Sequence, residues 1–291
     1  MTGALDWTQH GRDWPHRDAS QFMEVDGTRW HAQVMGSGPA LLLIHGTGAA
    51  SHSWRTLAPL LASRYTVIAP DLPGQAFTSN LRGRHSLPAM ATALGRLLEA
   101  MGLRPIAAVG HSAGAAIAIR MTLDDQLAPT ALVSLAGALL PWRGLPALVF
   151  APLARLLAST AAVPRFLAAR AAEPAVMSRL VDSTGSLIDA HGVALYGRLA
   201  SNPAHVAGAL AMMADWDLAS LKRDLCGLRV PLLALHGARD RMVGEAEFRK
   251  IATLVPRVEP VTLPALGHLA HEEDAARCAG LILGFLGKHG I

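Results

Sequence analysis

Gly110-His111-Ser112-Ala113-Gly114 follows an apolar, strand-like run, Pro105-Ile106-Ala107-Ala108-Val109. It opens a helix-like run, Ala115-Ala116-Ile117-Ala118-Ile119-Arg120-Met121. Strand, Gly-x-Ser-x-Gly, helix is the setting of a nucleophile elbow, a strained turn that holds the Ser hydroxyl out at the top of a sheet. Side chains flanking the Ser in so tight a turn would strike the neighbouring strand and helix, hence the small residues on both sides. The pattern alone is weak: a chain with 27 Gly matches it about 0.1 times by chance. Context decides.

Working outward, Leu41-Leu42-Leu43-Ile44 reads as a fully buried strand and runs directly into His45-Gly46-Thr47-Gly48. Such a loop supplies one backbone N–H to an oxyanion hole, and the residue after the nucleophile supplies the other. The amides of Thr47 and Ala113 are the candidates. Val230-Pro231-Leu232-Leu233-Ala234-Leu235 is another buried strand and leads to Asp240; after a helix-like run (245–254) and a strand (258–263) comes Gly267-His268. Ser112, Asp240 and His268 thus each lie just past a strand, in the order expected of an α/β-hydrolase.

The residue types suit one chemistry. A Ser hydroxyl is a poor nucleophile at neutral pH, so it needs a base within hydrogen-bond reach, and His268 would take its proton. Asp240 would fix the imidazole tautomer and stabilise the imidazolium. Taken singly, Asp240 reads as a helix N-cap before 241–255 and His268 as an ordinary loop residue. Taken together, the ordered set outweighs those readings. His45 and His111 are expected to hydrogen-bond backbone near the site. His271, Glu272 and Glu273 read as the start of the last helix, where acids complement the dipole.

Strands alternate with helices along the chain. A hairpin at 20–35 turns at Asp26-Gly27. Then come strand 41–45, helix 53–63, strand 65–70, helix 87–101, strand 105–110, helix 113–124 and strand 130–136. The beat resumes at 231–235 and ends in a helix near 273–287. This predicts an α/β fold with a mostly parallel central sheet covered by helices on both faces. Between about 138 and 217 the beat gives way to helical composition punctuated by six prolines. The expected organisation is a core from 1–137 and 218–291, interrupted by a helical cap over 138–217. The stretch Leu139 to Phe150 is markedly apolar; it packs the cap on the core, roofs an apolar pocket above Ser112, or faces a membrane peripherally.

Composition bounds the rest. The 291 residues suit one large domain, half of them apolar and only 16% charged. Two distant cysteines, Cys226 and Cys278, form no disulfide framework, and a polar N-terminus is no signal peptide, so a cytoplasmic location is expected. No stretch reads as a transmembrane segment. The net charge is +4, but the basic residues are dispersed and aromatics make up 5%, which argues against nucleic acid. No metal site or cofactor-binding loop is legible among the 13 scattered His.

On these motifs the chain resembles the α/β-hydrolase superfamily over essentially its whole length. Asp13-Trp14-Pro15-His16-Arg17-Asp18-Ala19-Ser20, Leu41 to Trp54, Ala69-Pro70-Asp71-Leu72-Pro73-Gly74 and Gly110 to Ala115 make it similar to the BchO family, the magnesium chelatase accessory proteins of bacteriochlorophyll biosynthesis. One departure is visible: many relatives carry His after Pro-Asp-Leu-Pro-Gly, and this chain carries Gln75. The resemblance implies a role near magnesium insertion into protoporphyrin, with the chelatase as an expected contact. It implies no known reaction. Two readings follow: a serine hydrolase acting on an ester or acyl bond of an apolar substrate, with a tetrapyrrole among the candidates, or a fold that binds porphyrin or the chelatase without turnover. Dehalogenases and epoxide hydrolases of the superfamily attack with Asp where this chain has Ser112; general carboxylesterases and cofactor-free haloperoxidases share the Ser triad. Arg143, Arg155, Arg165 and Arg170, with no acid before Glu173, would suit porphyrin propionates, or simply face water on a cap helix.

Overall fold

The computed structural model describes residues 4–141, 160 and 162–291. Eight strands form one sheet: β1 (Ser20–Val25), β2 (Thr28–Met35), β3 (Ala40–Ile44), β4 (Thr66–Pro70), β5 (Ala107–His111), β6 (Ala131–Leu135), β7 (Leu232–Gly237) and β8 (Val258–Leu263). Their order is β1-β2-β4-β3-β5-β6-β7-β8. The β1–β2 hairpin turns at Asp26-Gly27, β2 runs antiparallel to β4, and every other pairing is parallel.

The described helices are α1 (Trp7–His10), α2 (Leu57–Ala62), α3 (Leu87–Ala100), α4 (Ala113–Leu123), α5 (Ala162–Ala171), α6 (Pro174–Ser183), α7 (Ala190–Ala200), α8 (Pro203–Asp215), α9 (Ala219–Asp224), α10 (Glu245–Leu254), α11 (Ala270–Glu273) and α12 (Ala275–Lys288). Period-two alternation sends successive strand side chains to opposite faces. Leu42, Ile44, Ala108 and Leu132 therefore pack with α3, α4 and α10, while Leu41, Leu43, Val109 and Val133 pack with α2 and α12. A strand buried on both faces needs an unbroken apolar run, which explains the reading of β3 and β7.

Two boundaries differ from expectation. The helix expected at 53–63 is split: Ser51–Trp54 is a 3₁₀ turn, and α2 begins only at Leu57. The last helix begins at Ala275, where the Asp274 side chain caps the Arg277 amide at 3.0 Å. Residues 270–273 are a separate short helix, α11, because Asp274 between the two has a non-helical backbone, φ −143° and ψ 76°.

Helices α5 to α8 follow β6 and precede β7. Of the apolar stretch from 139, Leu139 and Leu140 lie in the main core, and Trp142 to Phe150 lie outside the described residues, as do Arg143 and Arg155. Arg165 and Arg170 are exposed on α5, and Arg170 pairs with Glu173 at 3.1 Å. The Asp13-to-Ser20 motif straps the N-terminus down. Asp13 takes a two-pronged bond from Arg198 of α7, Trp14 Nε1 donates to Ser51 Oγ at 3.2 Å, and the His16 ring bonds the Arg55 carbonyl at 2.7 Å. No helix among the described residues is long and apolar enough to cross a membrane.

Candidate active site

Ser112 stands between β5 and α4 with φ +52° and ψ −117°, a left-handed backbone that costs a non-glycine residue on the order of 1–3 kcal/mol. The surroundings enforce it. The Ser112 N–H donates to Leu135 O at 2.9 Å, and its carbonyl accepts from Ala115 and Ala138 at 3.2 Å each. A Cβ on Gly114 would sit 2.0 Å from the Ile44 carbonyl oxygen, and one on Gly110 would sit 2.4 Å from Ala115 Cα. These clashes are why both flanking positions are glycine.

The loop after β3 leans on this elbow. A Cβ on Gly46 would meet His111 Nδ1 at 3.0 Å and Ser112 Cβ at 3.1 Å. His45 is buried and holds the loop's base: its Nδ1–H donates to Gly46 O at 2.8 Å, and its Nε2 accepts from the Leu72 amide at 2.9 Å. Thr47 is the next residue of this loop, and Ala113 opens α4, where first-turn amides have no intrahelical carbonyl to serve.

Asp240 and His268 come together from two strand ends. The Asp240 carboxylate is fully buried; Oδ2 accepts from His268 Nδ1 at 2.9 Å, and Oδ1 accepts the Met242 and Val243 amides at 2.7 and 3.0 Å. Asp240 is therefore both a turn-capping residue and the partner of a histidine. With Nδ1–H given to Asp240, Nε2 is the ring nitrogen of His268 that carries the lone pair and can accept a hydroxyl proton. His111 ties this loop to the elbow, as its Nε2–H donates to the His268 carbonyl at 3.1 Å.

The surrounding imidazoles are kept neutral. Burial, then the charges of His271 and His268, hold His111 well below the usual range. Burial also pushes His271 down to about 3, and lowers His45 and His236.

Several contributors were not legible beforehand. Glu273 accepts the Gly267 amide at 2.6 Å, the Leu187 amide at 3.1 Å and Arg239 at 3.0 Å, so it pins the His268 loop to the chain between α6 and α7. Glu272 is fully buried and pairs with Arg55, which also bonds Asp189 at 2.9 Å; Tyr196 donates to Glu272 at 2.7 Å. Burial pushes the Glu272 carboxyl up to about 7 against the pull of Arg55. Neither acid serves the dipole of the last helix as expected. Gln75 is also fully buried and accepts the Gly48 amide at 2.6 Å.

The sequence model described as the alpha/beta hydrolase fold matches residues 39–275. This chain is an α/β-hydrolase. It is 37% identical over 277 residues to the magnesium-chelatase 30 kDa subunit of Rhodobacter capsulatus, covering 94% of this chain and 96% of that one, and it belongs to that protein's family. Solved structures agree on the fold. An α/β-hydrolase-fold protein of Burkholderia ambifaria superposes with a TM-score of 0.78 at 23% identity, over 92% and 98% of the two chains. An esterase of Thermogutta terrifontis does so with a TM-score of 0.73 at 22% identity, over 92% and 99%.

Proposed function

We propose that this α/β-hydrolase is a serine hydrolase with Ser112 as nucleophile, His268 as general base and Asp240 as the residue that orients and stabilises His268. The observation that carries this reading is the 2.9 Å Asp240–His268 bond, joined to the Ser112 turn by the bond from His111, the residue before Ser112, to the His268 carbonyl at 3.1 Å. His268 Nε2 takes the Ser112 proton as Oγ attacks an ester or similar acyl carbon, and the Thr47 and Ala113 amides receive the developing oxyanion. His268 then gives the proton to the leaving alcohol. Water, deprotonated by the same Nε2, releases the acid and restores Ser112.

The substrate we propose is apolar, with a tetrapyrrole as the leading candidate, acted on in the cytoplasm beneath a cap spanning about 138–217. Near full-length likeness to a protein named as a magnesium-chelatase subunit supports an accessory role at that step and contact with the chelatase. The same likeness favours a second reading, a porphyrin- or chelatase-binding protein without turnover, since chelation breaks no ester. Titration of wild type and Ser112→Ala with magnesium protoporphyrin, free protoporphyrin and a long-chain p-nitrophenyl ester separates the two. Ester turnover lost in Ser112→Ala supports the hydrolase. Saturable porphyrin binding that survives Ser112→Ala, without ester turnover by wild type, supports the binding protein.

A further inference from the structure

Helix α8 reaches the oxyanion loop with three residues of one face, His205, Gly208 and Met212, spaced i, i+3, i+7 as helix geometry requires for a shared face. Gly208 lets the helix come close: a Cβ there would lie 1.9 Å from the Gly74 carbonyl oxygen. His205 then clamps two backbones. Its Nδ1 accepts the Ala76 amide at 3.0 Å, and its Nε2–H donates to the Gly48 carbonyl at 3.2 Å. Burial holds its pKa down to about 4, so the neutral ring keeps one donor and one acceptor across the neutral range.

Met212 completes the contact. Its sulfur, on a fully buried residue, accepts the Thr47 hydroxyl at 3.4 Å and the Gln75 side-chain amide at 3.4 Å. Gln75 turns its other end to the Gly48 amide at 2.6 Å. The Thr47 hydroxyl, the Gly48 N–H and the Gly48 carbonyl, three polar groups on the two residues that begin at the Thr47 amide, are thereby tied to α8 directly or through Gln75.

We propose that Gln75, His205 and Met212 are positioning residues that aim the Thr47 amide, making helix α8 a structural wall of the oxyanion hole. This rests on the serine-hydrolase reading for its catalytic consequence and on the observed contacts for the hold itself. An amide serves an oxyanion only where it is already aimed when charge develops, and losing one such donor costs roughly 10²–10³ in rate. A loop loosened but still present loses part of that.

The test uses the full-length protein with Gln75→Leu, which keeps most of the volume and loses both polar contacts, and Met212→Leu, a volume-conserving change that removes only the sulfur acceptor. Two readouts are taken: amide hydrogen exchange of a peptide spanning residues 45–49, and kcat and KM for a p-nitrophenyl ester, with Tm as a check on folding. Expected are exchange faster by about 10-fold in Gln75→Leu and kcat lower by about 10–100-fold at a KM within about 3-fold of wild type, with a smaller change of the same kind in Met212→Leu. Wild-type exchange in both variants overturns the proposal, and so does faster exchange with unchanged kcat. If wild type turns over no ester, the serine-hydrolase reading fails on its own, and the exchange data still decide whether Gln75 and α8 hold the loop.

Discussion

Asp240 Oδ2 accepts from His268 Nδ1 at 2.9 Å while Asp240 Oδ1 accepts the Met242 and Val243 amides, so the carboxylate cannot swing away from the imidazole without leaving two backbone donors unpaired. Asp240→Asn keeps the size but offers the ring an NH₂ or a carbonyl in place of two acceptors, favouring the wrong tautomer. Activity on a p-nitrophenyl ester at pH 7 is expected to fall by roughly 10³–10⁴ in kcat. Loss below about tenfold would mean that Asp240 is a turn cap and no more.

Ser112 is half-buried and stores backbone strain in its turn. Glycine adopts φ +52° without the Cβ penalty but gives up more chain entropy on folding. Ser112→Gly is therefore expected to abolish turnover and raise stability by about 1 kcal/mol in denaturant titration. Ser112→Ala keeps the Cβ and is expected to lose activity without that gain. A destabilised Ser112→Gly would show that the turn is not under strain.

Acid should weaken the fold through its buried histidines. His205 and His271 titrate at about 4 and about 3 in the folded chain, against 6.5 when exposed. Between those values the unfolded chain binds more protons, so stability rises with pH up to about 6.5 and falls on acidification. Moving from pH 7 to pH 5 is expected to cost about 2 kcal/mol per histidine. Glu272, raised to about 7 from 4.5, works in the opposite sense over 4.5–7 and offsets part of the loss. Denaturation midpoints at pH 7 and 5 check this: His271→Gln should flatten the pH dependence and Glu272→Gln should steepen it.

Much of the core was legible because β3 to β7 are short, largely apolar runs that end at or near Gly or Pro, and because Ser112, Asp240 and His268 each follow a strand. His45 and His111 bond backbone as their places beside tight turns suggested. The contacts that complete the site were not legible, for a physical reason. Gln75 meets Met212 across 137 residues and Arg55 meets Glu272 across 217, and no local periodicity encodes such pairings. The roles of Glu272 and Glu273 depart from the sequence expectation for the same cause. Adjacent acids at an apparent helix start suit the dipole locally, but Arg55, Tyr196 and the Gly267 amide, supplied by distant segments, compete for them and win.

The proposed role of Ser112 is tested most directly by labelling the full-length protein with a fluorophosphonate probe and reading intact mass and the modified peptide. One adduct on Ser112 is expected, absent from Ser112→Ala and formed far more slowly by His268→Ala. Equal labelling of wild type and Ser112→Ala, or a wild type left unmodified at Ser112, would contradict a working nucleophile.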